Sequence, residues 1–320
     1  MFMFLNSSFF DLPNAILAPI LALISNISFG MSCLIFAHYS TKISSAWVNG
    51  IKALVSTFCF LILLLVGPIL FNQPAISWEF HSSYIYLFLS GMIGLGFADI
   101  FLMEGLKQNG VARTLLFYAL QPFLMAIFAY FLWSESIRPA QWPGIIVFVL
   151  TLLLFCYEKM KEEKREVKHI LIVIFAVFID CIGISLTKQS MVIDTGLSPV
   201  LACFIRGMGA LFFLRCYFWI KGIYFFPKNE NTKNSQVVAS KKDYQYLFWA
   251  SFFGTFLSLL CYISAIKLGQ ITVVTAVAVT SPLWATLFEF IFYKKIPSKI
   301  FILCFVLFIL AFLWNIFASQ

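Results

Sequence analysis

The stretch YLFLSGMIGLGFADIFLMEGLKQNG, Tyr86–Gly110, has a second version in YLFWASFFGTFLSLLCYISAIKLGQ, Tyr246–Gln270. Tyr86-Leu87-Phe88 recurs as Tyr246-Leu247-Phe248, an offset of 160 residues. Without a gap the same offset carries Gly94 to Gly254, Lys107 to Lys267, Pro122 to Pro282 and Phe128 to Phe288. A tripeptide match arises easily in a chain with 39 Phe. Ungapped matches at Gly, Lys and Pro, each at the same place in its apolar run, do not. Upstream, Gly30 and Ser32 match Gly183 and Ser185 at an offset of 153, and the basic residues Lys52 and Arg206 align to within one residue. The polar stretch Lys228–Lys242 accounts for the change of offset. The chain is an internal repeat.

Composition says where that repeat lives. Of 320 residues, 62% are apolar and 11% charged, with a mean hydropathy of +0.94. A soluble domain carries roughly 45–50% apolar and about 25% charged residues, so a soluble enzyme or nucleic-acid binder is excluded. The net charge of +8 sits mostly in short loops between apolar runs. Those runs are continuous and lack the alternation of a lipid-facing barrel. A helix crosses the bilayer in about 20 apolar residues. Spans are expected near Ala15–His38, Ser45–Phe71, Tyr84–Leu106, Val111–Trp133 and Trp142–Tyr157, the last being the shortest. A second set is expected near His169–Ser190, Ser198–Ile220, Tyr244–Ile266, Ile271–Tyr293 and Ile300–Phe317.

The expected fold is therefore all-α: a polytopic membrane protein of ten transmembrane helices in two inverted five-helix repeats. An odd number of spans per repeat forces the second copy to enter the membrane upside down. The first repeat covers 15–157 after an N-terminal tail, 1–14. A charged linker, 158–168, leads to the second repeat, 169–320. Inverted repeats are a recurring construction in secondary transporters, with substrate bound near mid-membrane between the halves. The loops after alternate spans hold Lys42, Lys107, Arg113, the Lys159–Lys168 cluster, Lys221–Lys242 and Lys294–Lys299. Enrichment of Lys and Arg in cytoplasmic loops puts both termini outside.

The chain resembles the EamA-type family of the drug/metabolite transporter superfamily. The resemblance is clearest where Gly-Leu-Lys-Gln-Asn-Gly-Val-Ala-Arg (Gly105–Arg113) leads into a helix with a central Pro122. The stretch Trp133–Pro139 follows, and then Trp142-Pro143-Gly144 opens the last helix of the repeat. Glu135 matches the acidic residue that the family places after its fourth helix. The second repeat departs from this, with Lys295 where an acid is expected. The resemblance implies ten helices in two five-helix repeats, and export or exchange of small metabolites such as amino acids. An integral, multi-pass protein of the plasma (inner) membrane is expected, as monomer or homodimer. Its partners are a small-molecule solute and the lipid bilayer, with no nucleic acid and no cofactor. The rival reading is an intramembrane enzyme or a lipid-handling protein. It would need a catalytic constellation, and no His-Glu-x-x-His occurs.

Charges deep in a membrane cost a few kcal/mol each on insertion scales and usually face a bundle interior or a wet cavity. Counting along the spans puts Asp180 and Arg206 near one depth, where the two should meet. Lys52 and Asp99 share another depth. Either pair is a structural ion pair or handles substrate or protons. Pro122 and Pro282 each free the carbonyl four residues back, at Tyr118 and Ala278. Their symmetric placement favours kinked helices lining a central cavity. The expected substrate-binding set is Asp180, Arg206, Tyr118, Gln121, Ser281 and Trp284; Lys52, Asp99, Pro122 and Pro282 are candidates for coupling or gating. Glu104 and Glu289 read as anchors near helix ends. Gly91, Gly94 and Gly96, with Gly207, Gly209 and Ala210, permit close helix contact. No metal site is expected, because His38, His81 and His169 have no ligand spacing. The eight Cys read as small buried hydrophobes.

Overall fold

The computed structural model describes residues 14–70, 81–134, 139–162, 167–222, 240–278, 280–294 and 299–318. The first half holds α1 (Asn14–Lys42), α2 (Ser45–Leu70), α3 (Ser83–Ser90), α4 (Asp99–Asn109), α5 (Val111–Phe117), α6 (Gln121–Trp133) and α7 (Trp142–Glu162). The second holds α8 (Val167–Ile193), α9 (Pro199–Lys221), α10 (Lys241–Ser251), α11 (Ser258–Leu268), α12 (Ile271–Ala278), α13 (Ser281–Tyr293) and α14 (Lys299–Ala318). Each segment of the first half has its counterpart seven segments later.

The repeat is visible in irregularities that composition alone would not duplicate. A π-helical stretch, Gly91–Ala98, joins α3 to α4, and a second, Phe252–Leu257, joins α10 to α11 at the equivalent place. Extra residues in a π-turn leave carbonyls without their usual amides, and π-turns recur at functional sites. In the first half the Asn49 amide donates to the Leu95 and Gly96 carbonyls at 3.0 and 3.1 Å. The proline-bearing spans are also alike. In the first half a 3₁₀ turn, Tyr118–Leu120, interrupts the α-helix just before the proline, and Pro122 and Pro282 lie in the first turn of α6 and α13. A proline is tolerated there because its missing N–H would be unsatisfied anyway. Both helices end on a left-handed residue that is not glycine, Ser134 and Lys294, each at φ 53°.

Among the described residues, seven stretches are long and apolar enough to cross a bilayer, and three shorter apolar helices accompany them: Leu124–Trp133, Trp142–Thr151 and Ile302–Ala311. The span expected to be shortest, Trp142–Tyr157, belongs to a helix that runs on to Glu162. It therefore absorbs half of the charged linker, while residues 163–166 lie outside the described set. So do Glu135 and Lys295, the residues on which the two repeats part from one another in the family resemblance.

Backbones approach closely where glycines meet. A Cβ on Gly91 would fall 1.9 Å from the carbonyl oxygen of Arg206, and one on Gly209 would fall 2.1 Å from that of Phe88. Helix α9 therefore lies directly on the first π-helical stretch. This contact joins the second half to the first and fixes where the Arg206 side chain emerges.

Candidate functional site

The halves line a partly open cavity of about 120 Å³, with nine residues from each. Four pairs of liners are related by the repeat: Leu95 with Thr255, Asp99 with Leu259, Leu102 with Tyr262, and Gln121 with Ser281. Lys52 of α2 and Arg206 of α9 are a fifth pair.

The proline-bearing spans give the cavity much of its polarity. Gln121, directly before Pro122, donates from Nε2 to Asp180 Oδ2 of α8 at 3.0 Å. Its counterpart Ser281, directly before Pro282, donates from Oγ to Asn26 Oδ1 of α1 at 3.0 Å. Asn26 in turn donates to the carbonyl of Val277 at 3.3 Å, before that proline. The same bond is thus built twice, each time from a proline-bearing span in one half to the first helix of the other. In one copy the acceptor is a charged carboxylate; in the other it is a neutral amide.

The basic residues differ in the same way. Lys52 is buried and bonds directly to Asp99 Oδ2, an ion pair within the first half. Arg206 is 2% exposed, yet among the described residues its Nε and Nη1 have no hydrogen-bond partner. A buried guanidinium without partners is costly. Two more polar atoms of the lining, Thr255 Oγ1 and the Tyr262 hydroxyl, also lack partners among the described residues.

Asp180 and Arg206 share one cavity, as their common depth suggests, but no ion pair joins them among the described residues. They flank Gly94 instead: a Cβ built there would lie 3.4 Å from Asp180 Oδ1 and 3.6 Å from Arg206 Nη2. Tyr118, Gln121 and Ser281 line the same cavity. Trp284 is not among the lining residues, and its Cβ packs 3.2 Å from where a Cβ of Gly30 would stand. Lys52 and Asp99 meet as their shared depth predicts. Asp99, counted to a different depth from Asp180, lines the same cavity. Sequence reasoning missed Asn26, Thr255, Ser258 and Tyr262. Asn26 carried a usable signal, a side-chain amide within an apolar span, one residue off the register that relates Gly30 to Gly183.

Away from the cavity, charged groups tie helix ends. Lys42 of α1 pairs with Asp243 of α10 at 2.9 Å, and Tyr39 donates to the same carboxylate at 3.1 Å. Glu104, expected as an anchor, accepts from Ser45 and Gln108 at 2.7 Å each and lies 3.7 Å from Lys107. At the other end Lys267 donates to the Leu197 carbonyl at 2.8 Å.

No curated protein matches the chain. A solved structure described only as a crystal structure of a protein has the same fold. It superposes with a TM-score of 0.67 over 94% of this chain and 95% of its own, at 15% identity. The sequence profile of the EamA-like transporter family matches residues 16–157 and again 167–317, once per repeat. Two copies of that profile, covering nearly the whole chain, coincide with the two halves that line the cavity. The chain belongs to the EamA-like transporter family.

Proposed function

We propose that this membrane transporter moves small charged or zwitterionic metabolites, amino acids among them, by alternating access between its two halves, as an exporter or exchanger in the plasma membrane. The observation that carries the reading is the buried guanidinium of Arg206, whose Nε and Nη1 have no hydrogen-bond partner among the described residues, in a cavity that also holds Asp180. Its N–H donors offer the planar recognition that a carboxylate fits. Asp180, held by Gln121, offers an acceptor for an ammonium group. A zwitterion spanning Gly94 would give both groups a charged partner at once, whereas in the empty site Asp180 has the Gln121 amide and Arg206 Nε and Nη1 have no partner among the described residues. Tyr118 and the Thr255 and Tyr262 hydroxyls are placed to meet the rest of the solute. The proline-bearing spans α5/α6 and α12/α13, with Pro122 and Pro282, supply the hinge positions.

Counterflow in liposomes tests this. Purified protein is reconstituted with an unlabelled amino-acid mixture inside, and labelled amino acids are presented outside one at a time. The proposal expects uptake above protein-free liposomes for at least one of them. That uptake should be lost or strongly reduced in Asp180→Asn and in Arg206→Lys, since a point charge does not reproduce the guanidinium fork. No counterflow for any of them, or wild-type rates in both variants, would overturn it.

A further inference from the structure

The two halves supply the same kinds of residue at matching places, with one exchange that changes the chemistry of the cavity. In the first half Lys52 of α2 is neutralised by Asp99, the first residue of α4. In the second half Arg206 of α9 takes the place of Lys52. The residue that takes the place of Asp99, 160 positions on, is Leu259 of α11. Leu259 lines the same cavity, and α9 packs on α11 as α2 packs on α4. The repeat therefore predicts an acid at position 259, and the chain has leucine there. Arg206 Nε and Nη1 have no hydrogen-bond partner among the described residues.

We infer that Leu259 is a specificity-determining residue: by leaving Arg206 without an internal counter-ion it makes that guanidinium the anion receptor of the cavity, so the site takes solutes bearing a free carboxylate and rejects their carboxamides. This rests on the transport reading above and sharpens it. Lys52, already paired, takes no part in binding the anion. A bond between a guanidinium and a carboxylate is roughly twice as strong as one between neutral groups. An acid at position 259 would make that bond internally, and an arriving carboxylate would have to break it.

The test measures binding by detergent-solubilised, full-length protein. The twenty amino acids and their carboxamides are the probes, and thermal stabilisation and calorimetry are the readouts. Wild type should bind at least one amino acid, with its carboxamide weaker by about tenfold or more. Leu259→Asp should bind that acid about tenfold or more weakly. Leu259→Asn, which matches Asp in size without its charge, should weaken binding of that acid less than Leu259→Asp does, because a neutral amide oxygen bonds a guanidinium less strongly than a carboxylate does. If Leu259→Asp does not fold, the wild-type preference and its loss in Arg206→Gln decide. Equal binding of acid and carboxamide, or wild-type affinity in a folded Leu259→Asp, would overturn the assignment while leaving the transport reading in place. No binding of either series by wild type would reject that reading and this assignment with it.

Discussion

Gly94 separates packing from function more cleanly than any other residue in the molecule. Replacing it with Ala puts a methyl group 3.4 Å from Asp180 Oδ1, 3.6 Å from Arg206 Nη2 and 3.7 Å from the Gly183 Cα. All three are ordinary contacts, so nothing has to move. An alanine inside a helix is also favoured over glycine by roughly 0.5–1 kcal/mol, so the folded protein should be as stable as wild type or slightly more so. The methyl nevertheless stands between the carboxylate and the guanidinium, where a zwitterion would span them. It adds about the volume of one water, roughly 30 Å³, next to both charged groups. A solute pushed off either charge loses one charge-assisted hydrogen bond, about 1.5–3 kcal/mol, which is about a tenfold to hundredfold rise in KM. Gly91→Ala is the opposite case. Its methyl would lie 1.9 Å from the Arg206 carbonyl oxygen, with the other near atoms also backbone. Helix α9 must then retreat by more than an ångström, and overpacking of this kind costs about 1–3 kcal/mol. Thermal melting in detergent and counterflow kinetics on the same preparations read both quantities. A Gly94→Ala protein that melts with wild type and transports with wild-type KM would refute the placement of the substrate between Asp180 and Arg206.

The Lys52–Asp99 pair should behave as a buried ion pair. Lys52→Met leaves Asp99 uncompensated and should destabilise by about 3–5 kcal/mol, whereas Lys52→Met with Asp99→Leu should recover most of the loss; equal melting temperatures for the single variant and wild type would show that Asp99 finds another partner. The loop charges predict that a reporter fused after residue 320 lies outside the cell and one inserted between α7 and α8 lies in the cytoplasm, and a cytoplasmic signal from the first would reverse the orientation.

The repeat was legible because it is ungapped from the third span of each half through the proline of the fourth, and because Gly, Lys and Pro are scarce enough to mark a register. What lay beyond it was azimuth. Counting residues gives the height of a side chain along its helix at 1.5 Å per residue, and this correctly brought Lys52 to Asp99. Height does not say which way a side chain points. In a soluble helix the apolar stripe would supply that direction, but these helices are apolar all round because lipid and protein interior are equally undemanding. Trp284 shows the loss: its height and its place after Pro282 suggested the cavity, and it is not among the residues that line it. The 3₁₀ turn that precedes Pro122 was out of reach for a related reason. Proline frees carbonyls in the preceding turn, and whether the helix bends or stops depends on partners such as Asn26, which reaches the Val277 carbonyl from α1. That contact joins residues 251 positions apart, and no local pattern announces it.

The account stands on one site, and a structure of the protein with the amino acid selected by counterflow tests it most directly. The solute carboxylate should lie within hydrogen-bond distance of the Arg206 guanidinium, and the ammonium should contact Asp180 Oδ1, with the backbone of Gly94 between them. Density for that solute anywhere else, or in the cavity with its carboxylate turned to Lys52, would contradict it.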